Sequence, residues 1–278
     1  MKGGAYSIRY DPIDKKTWNS IVSLPDDVSV TTSKHYGSVL KKSWSAWDEW
    51  NCLVGSLQAI VQDPTTSPIA HVASLVNDEL QASIYNALVG FYRLAFSSLR
   101  NVVEQMSVGL QLELAGDRNV FLRWLNGNRE LKFSWAADGL ARHTPVARLE
   151  CYLMNCLGDS LFRQRSLKQS EGFARRLFKE LSEFTHGGPA FTSADLWEGG
   201  NGPIFVAKAF EKWAGTFART YALGVLEAKL AQPHISRLGF GSQLSIQELF
   251  REVVKMVPKQ EDGSAILRKT LNLKWLWP

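Results

Sequence analysis

The amino-acid sequence predicts an all-α protein, a multi-helix bundle with long central helices, a short irregular N-terminal arm and a C-terminal tail. Apolar side chains recur at helical spacing through most of residues 34–258, and no alternating apolar and polar series indicates strands. The 278 residues are 45% hydrophobic and 21% charged, which is typical of a globular protein. This composition excludes a collagen, a disordered tail protein and a disulfide-stapled scaffold.

The first 33 residues carry turn and extended signals. Asp11-Pro12 and Pro25-Asp26-Asp27 indicate turns, and the run from Val28 to Thr31 indicates extended chain. We therefore expect an irregular arm over residues 1–33, ahead of a single helical domain over residues 34–258.

Two long helices are predicted next. Ser33 is a candidate N-cap for the first, which ends at the proline-rich segment 63–68. The second covers residues 69–114, with a bend near Gly90. Three tryptophans share one side of the first helix, which favours core packing over base stacking: Trp44, Trp47 and Trp50.

Shorter helices are predicted over residues 118–126, 145–162 and 168–186. Thr144-Pro145 supplies an N-cap and a first-turn proline for the middle one, and glycine at 187 and 188 ends the last. A long amphipathic helix over residues 204–231 and a final helix over residues 245–256 complete the domain.

The C-terminal segment 259–278 is predicted to be a docking tail. Trp275 and Trp277 stand near the end of the chain, where exposed apolar side chains are a liability. We therefore expect these two tryptophans to dock on the parent domain, on a sister subunit or on a partner protein.

Charge and cysteine content indicate a reducing, cytoplasmic compartment. Thirty-two Lys and Arg against 27 Asp and Glu give +5, a mild surplus that permits contact with RNA. Cys52, Cys151 and Cys156 lack a CxxC spacing and lie in apolar helical stretches, where free cysteine packs as a small hydrophobe. Residues 1–10 contain no apolar core, so we expect no export signal, and no apolar stretch reaches the roughly 20 residues that a membrane-spanning helix needs.

Polar side chains form a stripe along the second long helix, whose remaining surface is mostly apolar. A helix this apolar is largely buried, so the stripe faces a cleft in which Arg100 and Glu104, four residues apart, form an ion pair. The alternative is a solvent-exposed strip with one surface ion pair. The stripe consists of Asn86, Arg93, Ser97, Arg100, Glu104 and Gln111.

The helix predicted over residues 168–186 has an apolar face opposite a polar one that carries Arg175, Lys179, Ser182 and His186. Imidazole titrates near neutrality, so His186 is a candidate general acid–base or phosphate contact. Alternatively, it interacts with the helix dipole and the last carbonyls. The basic stretch over residues 163–179 is either a binding surface or a solvated face.

No metal, cofactor or nucleophile motif is present. The five histidines lack the HExxH or paired His/Cys spacing of a metal site. The glycine-rich segment 198–203 has neither the preceding strand nor the following Lys-Ser/Thr of a phosphate loop, and no GxSxG elbow occurs. We therefore expect neither a bound metal nor a cofactor.

Four short motifs lie between residues 85 and 190. They are Leu99-Arg100-x-x-x-Glu104, Phe121-Leu122-x-Trp124-Leu125-x-Gly127, Leu131-Lys132-Phe133-Ser134 and Leu181-Ser182-Glu183-Phe184-Thr185-His186-Gly187. Together, these motifs resemble the helical HEPN-like proteins of bacterial abortive-infection and anti-phage systems. The resemblance covers about a third of the chain.

The resemblance implies an α-helical bundle, often dimeric, that acts in anti-phage defence or toxin–antitoxin biology. In active members of that family, an Arg and a His separated by roughly four to six residues build a metal-independent RNase site. Nine residues separate Arg176 from His186, so the linear motif is absent here. A site would instead be assembled in space from Arg100, Glu104 and His186.

Two functions fit these observations, while a third, a small-molecule enzyme with a pocket between helices, has no motif behind it. The first is a homodimeric defence protein that binds RNA or another phosphate-bearing ligand and, as an RNase, uses His186 as acid–base and Glu104 to orient an arginine. The cations predicted to contact phosphate are Arg93, Arg100, Arg175, Arg176 and Lys179.

The second function is a non-catalytic helical module that senses or recruits a partner protein of the same defence system. In this hypothesis, the apolar helices and the tail with Trp275 and Trp277 form the interface, and the polar stripe is structural.

Overall fold

The computed structural model describes residues 15–60, 66–164, 171–185, 203–233, 239–256 and 264–271. These residues contain no strand, which confirms the all-α class and the multi-helix bundle. The helices in chain order are α1 (Lys15–Ile60), α2 (Pro68–Leu88), α3 (Tyr92–Ala115), α4 (Arg118–Leu125), α5 (Phe133–Leu140), α6 (Thr144–Leu157), α7 (Phe173–Thr185), α8 (Ala207–Ala231), α9 (Gly239–Met256) and α10 (Ser264–Leu271).

Helices α3 and α8 form the centre of the bundle. α3 packs against α2, α5, α7 and α8, and α8 also packs against α1, α9 and α10. Every residue of α8 from Trp213 to Leu230 is buried, so this helix is enclosed on all sides rather than amphipathic as predicted. The bulkiest fully buried side chains include Trp50, Trp213, Tyr221, Phe96, Phe210 and Phe217.

The irregular arm predicted over residues 1–33 is wrong for residues 15–33, which belong to α1. Val28 and Thr32, one helical turn apart, are buried, so packing overrides the extended preference of the β-branched run. The hydroxyls of Ser29, Thr31 and Thr32 donate to carbonyl oxygens three or four residues earlier, which helical backbone allows. Residues 1–14 lie outside the described residues.

Helix α1 kinks at Tyr36, whose backbone angles of −130° and 24° leave the helical region. The Tyr36 ring stacks on Phe210 with 4.6 Å between ring centroids, and its hydroxyl donates to the Glu211 carboxylate at 2.8 Å. These contacts attach the kink to the first turn of α8. Farther along α1, Trp50 is buried as predicted, whereas Trp44 and Trp47 are only half-buried.

The second long helix is divided into α2 and α3 by a turn at Gly90, rather than bent as predicted. Gly90 has a φ of +85°, and a Cβ at this position would collide with the backbone of Ile204. The turn therefore requires glycine. It also divides the predicted polar stripe, because Asn86 lies on α2 and the other members lie on α3.

The shorter helices follow the predictions with two additions. α4 matches the predicted helix, whereas α6 ends five residues early because Gly158 adopts a left-handed φ of +66°. Helix α5 was not predicted. The predicted tail 259–278 contains α10, whose Ile266 and Leu267 are buried, so part of the tail belongs to the bundle. Trp275 and Trp277 lie outside the described residues.

Candidate functional site

Arg100 and Glu104 form the ion pair predicted from their spacing, with 3.0 Å between Nη1 and Oε2. Arg100 also donates from Nε to the Ser182 hydroxyl of α7 at 3.2 Å, and its guanidinium lies 4.7 Å from the centroid of the Phe178 ring. The other Glu104 oxygen accepts the backbone amide of Phe133 at the start of α5, at 3.2 Å. This Arg100–Glu104 cluster therefore ties α3 to α5 and α7.

The Arg100–Glu104 cluster is better arranged for packing than for holding a phosphate. Arg100 uses Nε and Nη1 on groups of the protein itself, so each of the two guanidinium edges that could grip a phosphate already has one donor engaged, and its anion Glu104 is fixed by the Phe133 amide. Only 21% and 24% of the two side chains is exposed. His186 follows the last residue of α7 and lies outside the described residues, so its convergence with Arg100 stays a prediction.

Helix α7 divides into two faces as predicted, but its arginines are not a solvated face. Arg176 holds Asp159 through two hydrogen bonds of 3.1 and 2.7 Å, and Arg175 pairs with Asp138. Lys179 is exposed. The apolar face is buried throughout: Phe173, Leu177, Leu181 and Phe184.

Arg93, the remaining cation predicted to contact phosphate, is exposed in the first turn of α3. Buried Arg219 of α8 holds Glu180 of α7 through hydrogen bonds of 3.0 and 3.1 Å, and Lys212 pairs with the same carboxylate. Burial alone would raise the pKa of Glu180, but the two cations outweigh it and lower that pKa. The sequence analysis missed this link between α7 and α8.

A half-open cavity of about 520 Å³ lies among α5, α6, α7 and the connection that follows α6. This volume falls in the range of small-molecule sites. One wall carries apolar groups of Ala137, Met154 and Phe162. The charged residues in its lining are Asp138, Arg142, Glu150, Arg163 and Arg175, and we call this site the arginine pocket.

The wall of the arginine pocket is built by the chain that returns from α6 to α7. The two carboxylate oxygens of buried Glu150 accept the backbone amides of Leu161 and Phe162 at 3.0 and 2.7 Å, which fixes this segment. The Leu161 carbonyl then accepts the amide of Ala174 at 2.8 Å. A Cβ at Gly172 would collide with the Leu161 backbone, so glycine permits this close approach.

Each arginine of the pocket acts on a pocket carboxylate. Burial alone would raise the pKa of Asp138, but hydrogen bonds from Gln164 and Arg175 and the charge of Arg142 lower it. Burial raises the pKa of Glu150, against the amides and the charge of Arg163, which lower it. Among the described residues of the lining, three arginines against two carboxylates leave one net positive charge.

Another buried carboxyl lies in the core, on α8. The Ser107 hydroxyl of α3 donates to Oε1 of Glu227 at 2.6 Å, while Oε2 has no hydrogen-bond partner among the described residues. Complete burial raises the pKa of Glu227 to about 8, so the carboxyl is mainly protonated at neutral pH. The sequence analysis gave no sign of this group, because one Glu in an apolar helix does not reveal which side of the helix is enclosed.

The sequence analysis named Arg175 and included Arg163 in the basic stretch, but it missed Asp138, Arg142 and Glu150, which line the same pocket. These groups come from separate segments, and Asp138 lies on the unpredicted α5. Cys52, Cys151 and Cys156 are exposed, contrary to the expected burial, since each falls on the outer side of its helix. Cys151 belongs to the pocket lining.

Two negative findings concern only the part of the chain that the structure describes. There, no group of three or more His, Cys, Asp or Glu residues is arranged to hold a metal ion. Within the same residues, no helix combines the length and the apolar character needed to cross a bilayer.

Comparisons of this chain with protein-family models, with curated proteins and with solved structures found no match. The resemblance to HEPN-like proteins therefore rests on the four sequence motifs.

Proposed function

We propose that this protein binds a phosphate-bearing ligand in the arginine pocket and acts in a bacterial defence system as a binding module rather than as an RNase. The observation that carries the proposal is a small-molecule-sized cavity with Arg142, Arg163 and Arg175 in its lining. Arginine offers several N–H donors in a planar fork that matches the oxygens of a phosphate group.

The internal contacts of the Arg100–Glu104 cluster support binding over cleavage. Catalysis of transesterification needs charge aimed at the reacting phosphate, and the arginine proposed for it is held by Glu104, Ser182 and Phe178. In this account, Arg100 is a structural residue and is not the phosphate clamp that the RNase hypothesis assigns to it. The proposal thus combines the phosphate-ligand hypothesis with the non-catalytic one.

Equilibrium binding of phenyl phosphate, followed by calorimetry, tests the proposal. We expect Arg142→Ala and Arg163→Ala each to weaken binding at least fivefold, because each removes a cation from the pocket. Arg123→Ala is the matched control, since Arg123 is exposed on α4 outside the lining, and it should change the affinity less than twofold. Equal losses in all three variants would show unspecific charge attraction and refute the proposal.

RNA cleavage in EDTA tests the non-catalytic part of the proposal. We expect no cleavage by the wild-type protein, and hence no difference from the Arg100→Ala and His186→Ala variants. Cleavage that both substitutions abolish, with the fold intact by circular dichroism, would instead support the metal-independent RNase.

The assembly and surroundings of the protein belong to the same proposal. We expect a cytoplasmic homodimer that engages a partner protein of the defence system, with Trp275 and Trp277 at the interface. Light scattering of the full chain and of a double alanine variant of these tryptophans tests this: the wild type should have the mass of a dimer, and the variant should be a monomer.

A further inference from the structure

Asp138 is the anion that the arginine pocket already holds. Its Oδ1 accepts a hydrogen bond from the Gln164 side chain at 2.7 Å and another from the Arg175 guanidinium, while Arg142 adds a positive charge nearby. These groups are the donors that an incoming phosphate would need. The Asp138 side chain is 43% exposed, so it has room to leave these donors without unpacking the core.

Glu150 is a fixed anion by contrast. Its residue exposure is 6%, and both of its oxygens are bound by the backbone amides of Leu161 and Phe162. Moving Glu150 would leave those amides without their acceptor, which is costly for buried groups. The two pocket carboxylates therefore differ: Asp138 is displaceable and Glu150 is part of the wall.

The charge balance after displacement selects the class of ligand. With Asp138 swung out, the described residues of the lining hold three guanidinium groups, those of Arg142, Arg163 and Arg175, and one carboxylate, that of Glu150. A phosphate monoester carries close to two negative charges above its second pKa of about 6, whereas a phosphodiester carries one. A diester or a carboxylate would only exchange one negative charge for another.

We propose that the arginine pocket recognises a terminal phosphate monoester, which displaces Asp138 from Arg175 and Gln164. This inference rests on the proposed function and specifies its ligand. The same chemistry is offered by a free mononucleotide and by the 5′ end of a processed RNA. The cavity of about 520 Å³ has room for the phosphate and one adjoining group.

The class of ligand is tested at pH 7.5 by calorimetry with phenyl phosphate and with methyl phenyl phosphate, its monoanionic diester. We expect the wild-type protein to bind the monoester at least tenfold more tightly, because its second negative charge is attracted by the surplus of arginines over carboxylates among the described lining residues. Equal affinities would overturn this inference and leave the proposed function standing. An absence of binding by either compound would overturn both.

The displacement of Asp138 is tested with Asp138→Asn. Removing the internal anion should tighten phenyl phosphate binding at least threefold, since the partly exposed Asp138 carboxylate is a modest competitor for the same donors. Asp48→Asn is the matched control: Asp48 is exposed on α1 and lies outside the lining, so its change should leave the affinity within twofold. Unchanged or weaker binding by Asp138→Asn would overturn the displacement.

Two further ligands distinguish the two sources of a phosphate monoester, a free mononucleotide and the 5′ end of an RNA. We expect an eight-nucleotide RNA with a 5′-phosphate to bind at least tenfold more tightly than the same RNA with a 5′-hydroxyl. If uridine 5′-monophosphate binds as tightly as the phosphorylated RNA, the pocket takes free mononucleotides. If it binds more weakly, the pocket takes RNA ends. Both results support recognition of a phosphate monoester. Equal binding of the two RNAs would overturn monoester recognition and indicate instead that the pocket binds backbone phosphates.

Discussion

Glu227 predicts a pH dependence of stability that a single substitution removes. The ordinary pKa of a Glu side chain, 4.5, rises to about 8 in the folded protein because the carboxyl is completely buried. Between these values, the folded protein keeps a proton that the unfolded chain has released. Stability therefore falls as the pH rises from 4.5 to 8, and this contribution is constant above that window.

The size of the effect follows from the two pKa values. Integrating the difference in bound protons from pH 5 to pH 8 gives a loss of about 3.5 kcal/mol in the free energy of unfolding. In Glu227→Gln the side chain at position 227 no longer titrates, so the variant should lack this pH-dependent loss of stability. Its amide oxygen still accepts the hydrogen bond from Ser107, so the contact between α3 and α8 is kept.

Urea unfolding at pH 5, 6.5 and 8, followed by circular dichroism, measures the difference. The stability of Glu227→Gln relative to wild type should rise by about 3.5 kcal/mol from the lowest pH to the highest. Glu130→Gln, at an exposed position, is the control and should follow the wild-type curve. A Glu227→Gln difference that changes by less than about 1 kcal/mol across this range would refute the reasoning.

The other predictions concern packing and are read from urea unfolding. Gly90→Ala should lower the free energy of unfolding by more than about 2 kcal/mol, because a positive φ and the Ile204 backbone both oppose a Cβ. Gly116 has a similar φ but open space around it, so Gly116→Ala should lower that free energy by about 1 kcal/mol. Equal losses would exclude the Ile204 contact. Arg219→Ala should cost about 3 kcal/mol, because it strips half-buried Glu180 of its main partner, and Lys212→Ala should cost less than about 1 kcal/mol. The reverse order would contradict this assignment.

Local patterns explain what the sequence predicted about the fold. The apolar faces of α3 and α7 repeat within one helix, so periodicity located these helices and their buried sides. The extent of α1 and the enclosure of α8 depend on packing between helices that are distant in sequence. Gly90 was recognised as a bend, but the need for a full break comes from the approach of Ile204 more than 100 residues later.

The same distinction applies to the candidate site. Arg100 and Glu104 were paired correctly because four residues of helix bring them together. The partners of Arg175 were missed because Asp138 and Phe162 approach it only when α5 and the return from α6 pack on α7. A charged residue in an isolated helix has the same sequence pattern whether it faces water, a ligand or a carboxylate from elsewhere in the chain.

The central claim is that phosphate binds to the pocket arginines and not to the Arg100–Glu104 cluster. The Nε–Hε resonances of arginine, recorded in ¹⁵N spectra during a phenyl phosphate titration, test it at each residue. Arg→Lys substitutions at 142, 163 and 175 assign the pocket signals. We predict that these three signals shift together with one saturable dissociation constant while that of Arg100 stays in place; a shift confined to Arg100, or no shift in the pocket, would contradict the account.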